Sequence, residues 1–255
     1  MHYVVSDLHA HTELYYKFKE SLSVDDKVFI LGDVIDKGDG TLDILLDTMK
    51  DCNAELLLGN HELMMWEYLT ACKTGNEAAM NKFGRRWMIL NGGADTFAHY
   101  EKLDKYTQDM LYGYLSSRYL QYRVCVNNRN FILTHSVPHG NDTVLFQDHC
   151  GILPGYENQA DKWVWDRVPY CYVDDCIVIT GHNIVQYNFY SVRDYANGNR
   201  DFVVETDGVY HNENDIWVCD EEGSWYDIDM GLAMNNEYSK LAILRLEDMS
   251  MRYIK

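Results

Sequence analysis

The sequence predicts an α/β fold with two mixed β-sheets, and two patterns predict it. In the first third of the chain, short apolar runs alternate with helix-like segments. Such alternation indicates right-handed βαβ units on a sheet covered by helices. From residue 122 onward, closely spaced apolar runs indicate a second, more antiparallel sheet. Because no repeat, low-complexity segment or linker interrupts the chain, we expect one domain over residues 1–255.

Each of the first three predicted strands is followed by a predicted helix. The strands are expected at 2–6, 27–31 and 55–58, and the helices at 12–22, 41–51 and 61–73. The helix at 41–51 has apolar residues at 42, 45, 46 and 49, which is the spacing of one buried helix face. Residues 76–120 are expected to be helical, with a turn at the Asn-Gly-Gly sequence of 91–93.

The remaining strands are predicted in the second half of the chain. They are expected at 122–126, 131–134, 176–180, 216–220, 225–229 and 241–246, all in the second sheet. The polar stretch 194–201 is expected to be a loop or hairpin tip.

Composition excludes several classes of function. The formal net charge of −18 argues against nucleic acid binding, which requires clustered Lys and Arg. No run of 18 apolar residues occurs, so no membrane span is expected. Seven scattered cysteines without a CxxC pair favour reduced thiols in a cytoplasmic protein. The amino terminus lacks the basic region of a signal peptide, in keeping with a cytoplasmic location. The oligomeric state is not predicted.

Side chains that can bind metal ions follow five of the predicted strands. In chain order they are Asp7, His9, Asp33, Asp36, Asn60, His61, His135 and His182. The carboxyl ends of strands are where sites assemble in α/β sheets. Carboxylate, imidazole and amide-oxygen ligands suit divalent ions, and Asp33 is placed to bridge two of them. The sequence therefore predicts a dinuclear metal site, with Mn²⁺ expected and Fe, Zn or Co compatible.

The ordered motifs resemble those of the phosphoprotein phosphatase family of metallophosphoesterases. They read SDLH, GDVIDKG, GNHE, LTHS and TGHN. The segment NGGADT at 91–96 resembles the bacterial and phage serine/threonine phosphatase branch, WVWDR at 163–167 resembles the family's W-x-R segment, and 228–248 resembles its closing strand pair. The resemblance implies a four-layer α/β/β/α sandwich with the dinuclear site at the carboxyl ends of the strands.

The resemblance also implies a role for each site residue. Asp7, His9 and Asp33 would surround one metal ion, and Asp33, Asn60, His135 and His182 would surround the other. His61 would be the general acid that protonates the leaving oxygen, and Asp36 would orient and charge its imidazole. Lys37 and Arg167 would hold phosphate oxygens.

Lys37 departs from the family pattern, which has Arg at this position. Lysine keeps the positive charge but loses the planar guanidinium that grips phosphate through two hydrogen bonds. If Lys37 instead extends into solvent, Arg167 carries phosphate recognition with less help. Ala10, where the family often has Gly, is a minor departure.

Several other residues have two interpretations. His11 either begins a helix or touches metal, and His139 lies either near the site or on the surface. Arg85 and Arg86 are surface residues by default, although one of them could reach a substrate phosphate. Glu62 is either a first-turn helix residue favoured by the helix dipole or a feature of the protein phosphatase branch. The late Asp-x-Gly turn of the family is better matched by 229–231 than by Asp207-Gly208.

The predicted function is hydrolysis of phosphate monoesters by direct attack of a metal-bound hydroxide, with His61 protonating the leaving oxygen. No cysteine lies in a phosphate-cradling loop, so a phosphocysteine mechanism is not predicted. The favoured substrates are phosphorylated serine and threonine residues of proteins. The alternatives are a symmetrical diadenosine tetraphosphate hydrolase, a broad-specificity phosphomonoesterase and a non-catalytic module that binds phosphorylated partners.

Overall fold

The computed structural model describes residues 1–149, 159–167, 172–185, 217–218, 224–237 and 239–255. The strands in these ranges are β1 (His2–Val5), β2 (Lys27–Ile30), β3 (Ala54–Leu56), β4 (Tyr119–Val126), β5 (Arg129–Thr134), β6 (Val144–Leu145), β7 (Ile177–Thr180), β8 (Trp217–Val218), β9 (Trp225–Asp227), β10 (Leu241–Arg245) and β11 (Ser250–Ile254). The α-helices are α1 (Thr12–Lys19), α2 (Asp43–Thr48), α3 (Asn60–Thr74), α4 (Glu77–Gly84), α5 (Ala94–Tyr100), α6 (Lys105–Ser116) and α7 (Asp161–Val164).

The first sheet has the strand order β11-β10-β1-β2-β3. Strands β1, β2 and β3 are parallel, and α1 and α2 connect them, as the βαβ pattern predicts. Strand β10 runs antiparallel to β1, with Tyr3 opposite Arg245. The three parallel strands therefore end at the same edge of the sheet, where their following loops meet.

The second sheet has the strand order β6-β4-β5-β7-β9-β8. Strands β5, β7 and β9 are parallel, whereas β4, β6 and β8 pair in antiparallel fashion. Both sheets are thus mixed. The prediction that 241–246 joins the second sheet is wrong, because this segment occupies the free edge of β1 in the first sheet. An apolar run predicts a strand but carries no information about a partner more than 200 residues away.

Two apolar clusters define the layers. Val5 and Ile30 belong to the cluster between the first sheet and its helices. Their neighbours Val4 and Phe29 point to the opposite face and pack with Phe131 and other residues of the second sheet. This alternation follows from the two-residue period of a strand and shows that both faces of the first sheet are covered. The predicted α/β sandwich with two mixed sheets is confirmed.

The predicted helical region 76–120 is confirmed up to residue 116 and wrong beyond it, because β4 begins at Tyr119. Between α4 and α5, the segment Arg85–Ile89 forms a wider π-helical turn. It is followed by the predicted turn at 91–93, in which Gly92 has φ +82°. None of the described helices is long and apolar enough to cross a membrane.

Two strands were not predicted, β6 and β11, because each is short or half-exposed. The predicted strand 216–220 is described only at Trp217–Val218, and the predicted loop at 194–201 lies outside the described residues. Cys52, Cys72, Cys125 and Cys176 are free thiols. Cys150, Cys171 and Cys219 lie outside the described residues.

Candidate active site at the strand ends

Sharp turns follow the parallel strands of the first sheet. Asp7, His9 and Asp33 have φ values of +51°, +40° and +53°, which non-glycine residues rarely adopt. Each such residue costs on the order of 1–3 kcal/mol and persists only where the surroundings enforce it. Main-chain hydrogen bonds do so here, because Asp7 N donates to Gly32 O (3.1 Å) and His9 N donates to Asp33 O (2.8 Å). Side chains with polar tips are thereby turned into the space above the sheet edge.

The first group of potential metal ligands surrounds Oδ2 of Asp33. His9 Nε2 lies 3.7 Å from this oxygen and 3.9 Å from Asp7 Oδ1. His61 Nε2 lies 3.9 Å from Asp33 Oδ2, so His61 faces the same space. All four side chains are buried. The separations are too long for hydrogen bonds and suit side chains that share one ion.

The second group surrounds the other carboxylate oxygen of Asp33. Its members are His135, His182 and Asn60, together with Asp33 Oδ1. His135 Nδ1 donates to Leu31 O (2.6 Å), and burial lowers the pKa of His135 to about 3. Its Nε2 therefore carries a lone pair. That atom faces two oxygens, Asn60 Oδ1 at 3.1 Å and Asp33 Oδ1 at 3.6 Å.

A bound cation would explain why the His135 nitrogen faces the oxygens of Asn60 and Asp33. An imidazole lone pair does not attract an amide oxygen or a carboxylate oxygen, but all three are ligands of divalent ions. His182 Nε2 adds a further donor of this kind, because it is buried and no described residue forms a hydrogen bond with it. Burial lowers the pKa of His9, His135 and His182, which keeps these imidazoles in the neutral form that binds metal. The donor set therefore fits a divalent metal site.

Buried carboxylates make the site strongly electronegative. Burial raises the pKa of Asp7, and the nearby Asp229 raises it further. The pKa of Asp33 is raised by burial and then by the charges of Glu62 and Asp7. Burial also raises the pKa of Asp229 to about 6. So many carboxylates out of water are stable in the ionised form only beside positive charge.

His61 is held from the side opposite the ligand groups. Its Nδ1 lies 2.7 Å from Asp36 Oδ2, and both side chains are buried. Burial lowers the pKa of His61, whereas the hydrogen bond and the charge of Asp36 raise it. Nε2 consequently points to the space shared with Asp33 and is available to carry a proton there.

Arg167 and Lys37, the two cations predicted to bind phosphate, differ in how the surrounding residues hold them. Arg167 Nη1 donates to His182 O (2.9 Å) and to Asn183 Oδ1 (3.3 Å), which ties the guanidinium to the loop after β7. Lys37 is exposed and has φ +70°. In the described part of the chain it forms no hydrogen bond or ion pair, yet its charge lowers the pKa of Asp7 and Asp33. The phosphate-binding role of Lys37 stays a prediction.

Glu62 has a role that sequence reasoning missed. Its Oε2 accepts hydrogen bonds from Asp33 N (2.7 Å) and Gly59 N (3.0 Å), and its Oε1 accepts one from Val34 N (2.9 Å). One buried carboxylate thus joins the loop after β2 to the loop after β3. The Gly-Asn-His-Glu sequence indicates the contact with Gly59, because a glutamate three residues after an N-cap often bonds back to it. Nothing local indicates the contacts with Asp33 and Val34.

Asp227 and Asp229 are further buried carboxylates beside Asp7 and Arg167. Burial raises the pKa of Asp227, and the charge of Asp229 raises it further. Asp229 N donates to Asp227 Oδ1 (3.1 Å), and Asp229 Oδ1 accepts from Gly231 N (2.9 Å). The 229–231 turn is therefore close to the site, whereas Asp207-Gly208 lies outside the described residues.

The residues with two interpretations lie as follows. His11 immediately precedes α1 and its Nε2 lies 2.9 Å from Leu232 O. His139 Nε2 lies 3.2 Å from Lys162 O. Arg85 is exposed.

Arg86 is occupied by protein carboxylates. It pairs with Glu67 and Asp161, and its guanidinium lies 4.6 Å from the ring centroid of Trp165. A guanidinium held in this way anchors the segment that carries Arg167, which lies two residues beyond Trp165.

Comparisons with known proteins agree with this architecture. The family model described as calcineurin-like phosphoesterase matches residues 3–239. A search of curated protein sequences finds no significant match. Among solved structures, a metallophosphoesterase from Sphaerobacter thermophilus is 14% identical, with a TM-score of 0.55, over 100% of this chain and 88% of that chain.

Two other similar structures differ in what their descriptions say of substrate. A candidate diadenosine tetraphosphatase is 13% identical with a TM-score of 0.50, over 99% of this chain and 92% of that chain. A protein serine/threonine phosphatase from Saccharomyces cerevisiae, with similarity to human phosphatase PP5, is 11% identical with a TM-score of 0.52, over 99% of this chain and 78% of that chain. At these identities the likeness establishes the fold alone.

Proposed function

The chain belongs to the calcineurin-like phosphoesterase family, and from that premise we propose that it hydrolyses phosphate monoesters on the serine and threonine residues of proteins. One observation carries the proposal. The two oxygens of Asp33 face two separate groups of buried ligands, and His61 lies beside one of them. This is the arrangement that a two-metal hydrolase with a neighbouring proton donor requires.

The two groups would hold one ion each. Asp7, His9 and Asp33 would hold the first ion. The second would lie among Asp33, Asn60, His135 and His182. We expect Mn²⁺, and Fe, Zn or Co are compatible with the same donors. When bound, such ions supply positive charge to phosphate oxygens and lower the pKa of coordinated water.

The protein's own groups would carry out proton transfer and orientation. Water adds to phosphorus while the ester P–O bond breaks, and the leaving oxygen takes a proton from His61 Nε2. Asp36 stabilises the protonated imidazole through the hydrogen bond at Nδ1. A bound phosphate dianion adds to this effect, because negative charge beside His61 favours its protonated form. Arg167 and Lys37 would hold the remaining phosphate oxygens.

Charge favours a phosphorylated protein over a dinucleotide as substrate. The chain carries a net charge of −18, and the exposed cations whose charge bears on the described site are Lys37 and Arg167. A phosphorylated side chain brings one phosphate to these cations, whereas diadenosine tetraphosphate brings four. Symmetrical hydrolysis of diadenosine tetraphosphate is the second candidate function. The fold likeness to a candidate enzyme of that kind supports it.

A substrate panel tests the proposal. The purified protein is assayed in turn with Mn²⁺, Fe²⁺, Zn²⁺ and Co²⁺ against p-nitrophenyl phosphate, phosphoserine and phosphothreonine peptides, and diadenosine tetraphosphate. We expect turnover of the peptides to exceed that of the dinucleotide. His61→Asn should reduce kcat by about 10²–10⁴-fold on the peptides, which is the usual contribution of a general acid.

His2→Asn is the matched control for this panel, since His2 lies at the far end of β1 and pairs with Glu247. Its kcat should equal that of the parent. Faster hydrolysis of the dinucleotide would favour the second candidate. If the protein binds phosphopeptides but hydrolyses no substrate with any of the four metals, both enzyme functions are contradicted and a binding module is favoured.

A further inference from the structure

We propose that Trp87 is a positioning residue that acts through Asp36 on the proton donor His61. The inference rests on the proposed function, since it assigns part of the machinery of that reaction. Trp87 Nε1 donates to Asp36 Oδ2 over 2.8 Å, and the same oxygen accepts from His61 Nδ1 over 2.7 Å. The indole and the imidazole thus converge on one oxygen of Asp36, and we call these three hydrogen-bonded side chains the relay.

The relay lies out of water. Trp87, Asp36 and His61 are exposed by 0%, 2% and 1% respectively. Asp36 Oδ1 is buried and has no hydrogen-bond partner among the residues that the structure describes. The orientation of the carboxylate therefore depends on the two donors that converge on Oδ2. An indole N–H only donates, so it holds that oxygen in the same place whether His61 carries one proton or two.

The backbone is shaped to put the indole at this point. Trp87 lies in the π-helical turn of Arg85–Ile89, and such turns are rare and frequently lie at functional sites. Gly93 N donates to Trp87 O over 3.1 Å. A Cβ atom at Gly93 would lie 2.1 Å from Trp87 Nε1, so only glycine leaves room for the ring.

Aromatic neighbours hold the indole from its other sides. The ring centroids of Tyr68 and Phe97 lie 6.0 and 6.1 Å from that of Trp87. Because the ring is enclosed, its N–H is kept on Asp36 and does not rotate to another acceptor. This rigidity is what distinguishes a positioning group from an incidental hydrogen bond.

The consequence is specific to proton transfer. Without the indole N–H, Asp36 loses one of the two donors that orient it, and the imidazole Nε2 loses its fixed direction towards the leaving oxygen. The fall in kcat should be large for esters whose leaving group needs a proton and small for esters whose leaving group departs as a stable anion. Phosphate binding uses other residues, so KM should change little.

Leaving-group dependence tests the inference. Kinetics with Mn²⁺ compare the parent, Trp87→Phe and His61→Asn on phenyl phosphate and 2,4-dinitrophenyl phosphate. Trp87→Phe should lower kcat about 10-fold on phenyl phosphate, a fraction of the 10²–10⁴-fold expected of the acid itself. On 2,4-dinitrophenyl phosphate its kcat should stay within about 2-fold of the parent, and His61→Asn should show the same selectivity with a larger loss.

Trp66→Phe is the matched control, because Trp66 is also buried and donates to Ser116 Oγ over 2.8 Å away from the site. It should change kcat on the two esters by the same factor. An equal loss on both esters in Trp87→Phe would overturn the inference and leave the proposed function intact. If the parent hydrolyses neither ester, the relay is tested by the structural measurement below, and the proposed function is judged separately by turnover of the phosphopeptides.

Indole NMR gives that second readout on the metal-free protein. In ¹⁵N-labelled parent protein, the Trp87 indole N–H signal is assigned as the one lost in Trp87→Phe, or, if that variant does not fold, in Trp87→His. We expect this proton to exchange slowly with water and its signal to shift in Asp36→Ala, while the Trp66 signal stays unchanged. A Trp87 signal that exchanges rapidly, or one that is unaffected by Asp36→Ala, would contradict the relay.

Discussion

The two sheets contribute to the candidate active site in different ways. The loops of the first sheet are joined by main-chain hydrogen bonds, such as His9 N to Asp33 O (2.8 Å), and by the carboxylate of Glu62. The second sheet adds His135 and His182, which are positioned by contacts to the first sheet. His135 Nδ1 donates to Leu31 O, and His182 N donates to a carboxylate oxygen of Asp7.

This difference indicates an order of dependence. The first-sheet half of the site consists of the loops after β1, β2 and β3. These loops are joined by main-chain hydrogen bonds and by Glu62, so they keep their shape when a single ligand is changed. The second-sheet half takes its position from the first, so damage to the first half disturbs both.

The largest effect is expected for Asp33→Asn, because Asp33 is the side chain that both halves share. An amide keeps one oxygen but turns a nitrogen with two protons to the other group, which repels a cation there. We expect kcat to fall by more than about 100-fold, beyond the 10–100-fold typical of groups that only orient metal ligands. The control is Asp39→Asn, an exposed residue of the same loop. Equal activity in the two variants would contradict the shared role.

Glu62→Gln should damage the frame of the first half. Glu62 accepts three main-chain hydrogen bonds through its two oxygens. Whichever way the new amide is placed, at least one buried main-chain N–H faces another donor. The expected loss of unfolding free energy is about 2–3 kcal/mol, measured by denaturant unfolding of the metal-free protein at pH 7.

Glu13→Gln separates this role from a helix-dipole effect. Glu13 is an exposed acidic residue in the first turn of α1, as Glu62 is in the first turn of α3. Replacement of Glu13 should lower the free energy of unfolding by no more than about 1 kcal/mol. If the two variants lose the same stability, Glu62 is only a first-turn residue and the loops are not held by it.

Arg167→Ala and Lys37→Ala compare the cations of the two halves. Arg167 is anchored by His182 O and Asn183 Oδ1, whereas Lys37 is unpaired among the described residues. A preorganised guanidinium binds phosphate oxygens better than a solvated ammonium. We expect KM for a phosphopeptide to rise about 10-fold in Arg167→Ala, which is about 1.4 kcal/mol, and less in Lys37→Ala. A larger rise in KM for Lys37→Ala than for Arg167→Ala would place phosphate recognition in the first-sheet half of the site.

The smallest effect is expected for pH in the metal-free protein. Burial raises the pKa of Asp229 to about 6 and that of Glu62 to about 7. The folded state thus binds these protons more tightly than the unfolded state. These groups therefore stabilise the fold most below about pH 4, and their contribution of about 3 kcal/mol each is lost as pH rises through about 6 for Asp229 and about 7 for Glu62. The net change is smaller, because the buried imidazoles with lowered pKa contribute with the opposite sign.

Unfolding measured at pH 5, 6, 7 and 8 tests this prediction. Asp229→Asn should flatten the profile near pH 6, and Glu62→Gln should flatten it near pH 7. Saturating Mn²⁺ should reverse the loss at pH 8, because the ions offset the buried negative charge. Because the buried imidazoles of His9, His135 and His182 contribute with the opposite sign, each variant is compared with the parent. Replacements that leave the pH profile of the parent unchanged would show that these carboxylates are not held as the structure describes.

The first-sheet half was largely predictable from the sequence because its information is local. Each of the parallel strands β1, β2 and β3 is an apolar run, and its polar tip follows within a few residues. A shared sheet edge then brings the tips together. The same reasoning applies to β5 and β7, which run parallel and carry His135 and His182 just beyond their ends.

What could not be predicted depends on contacts between distant residues. Glu62 bonds to Asp33 N, 29 positions earlier, and Trp87 bonds to Asp36, 51 positions earlier. Glutamate in a first helical turn and tryptophan in a helical segment are both ordinary, so neither signals its partner. For the same reason β10 was assigned to the wrong sheet, since its pairing with β1 spans nearly the whole chain.

Titration of the metal-free protein with Mn²⁺, followed by electron paramagnetic resonance, shows whether Asp33 joins two ligand groups that each hold an ion. Two ions should bind per chain, and their signal should show the halved hyperfine spacing of a spin-coupled pair that collapses in Asp33→Asn. A single bound ion, or two ions with the spectrum of isolated Mn²⁺, would contradict the shared-carboxylate site.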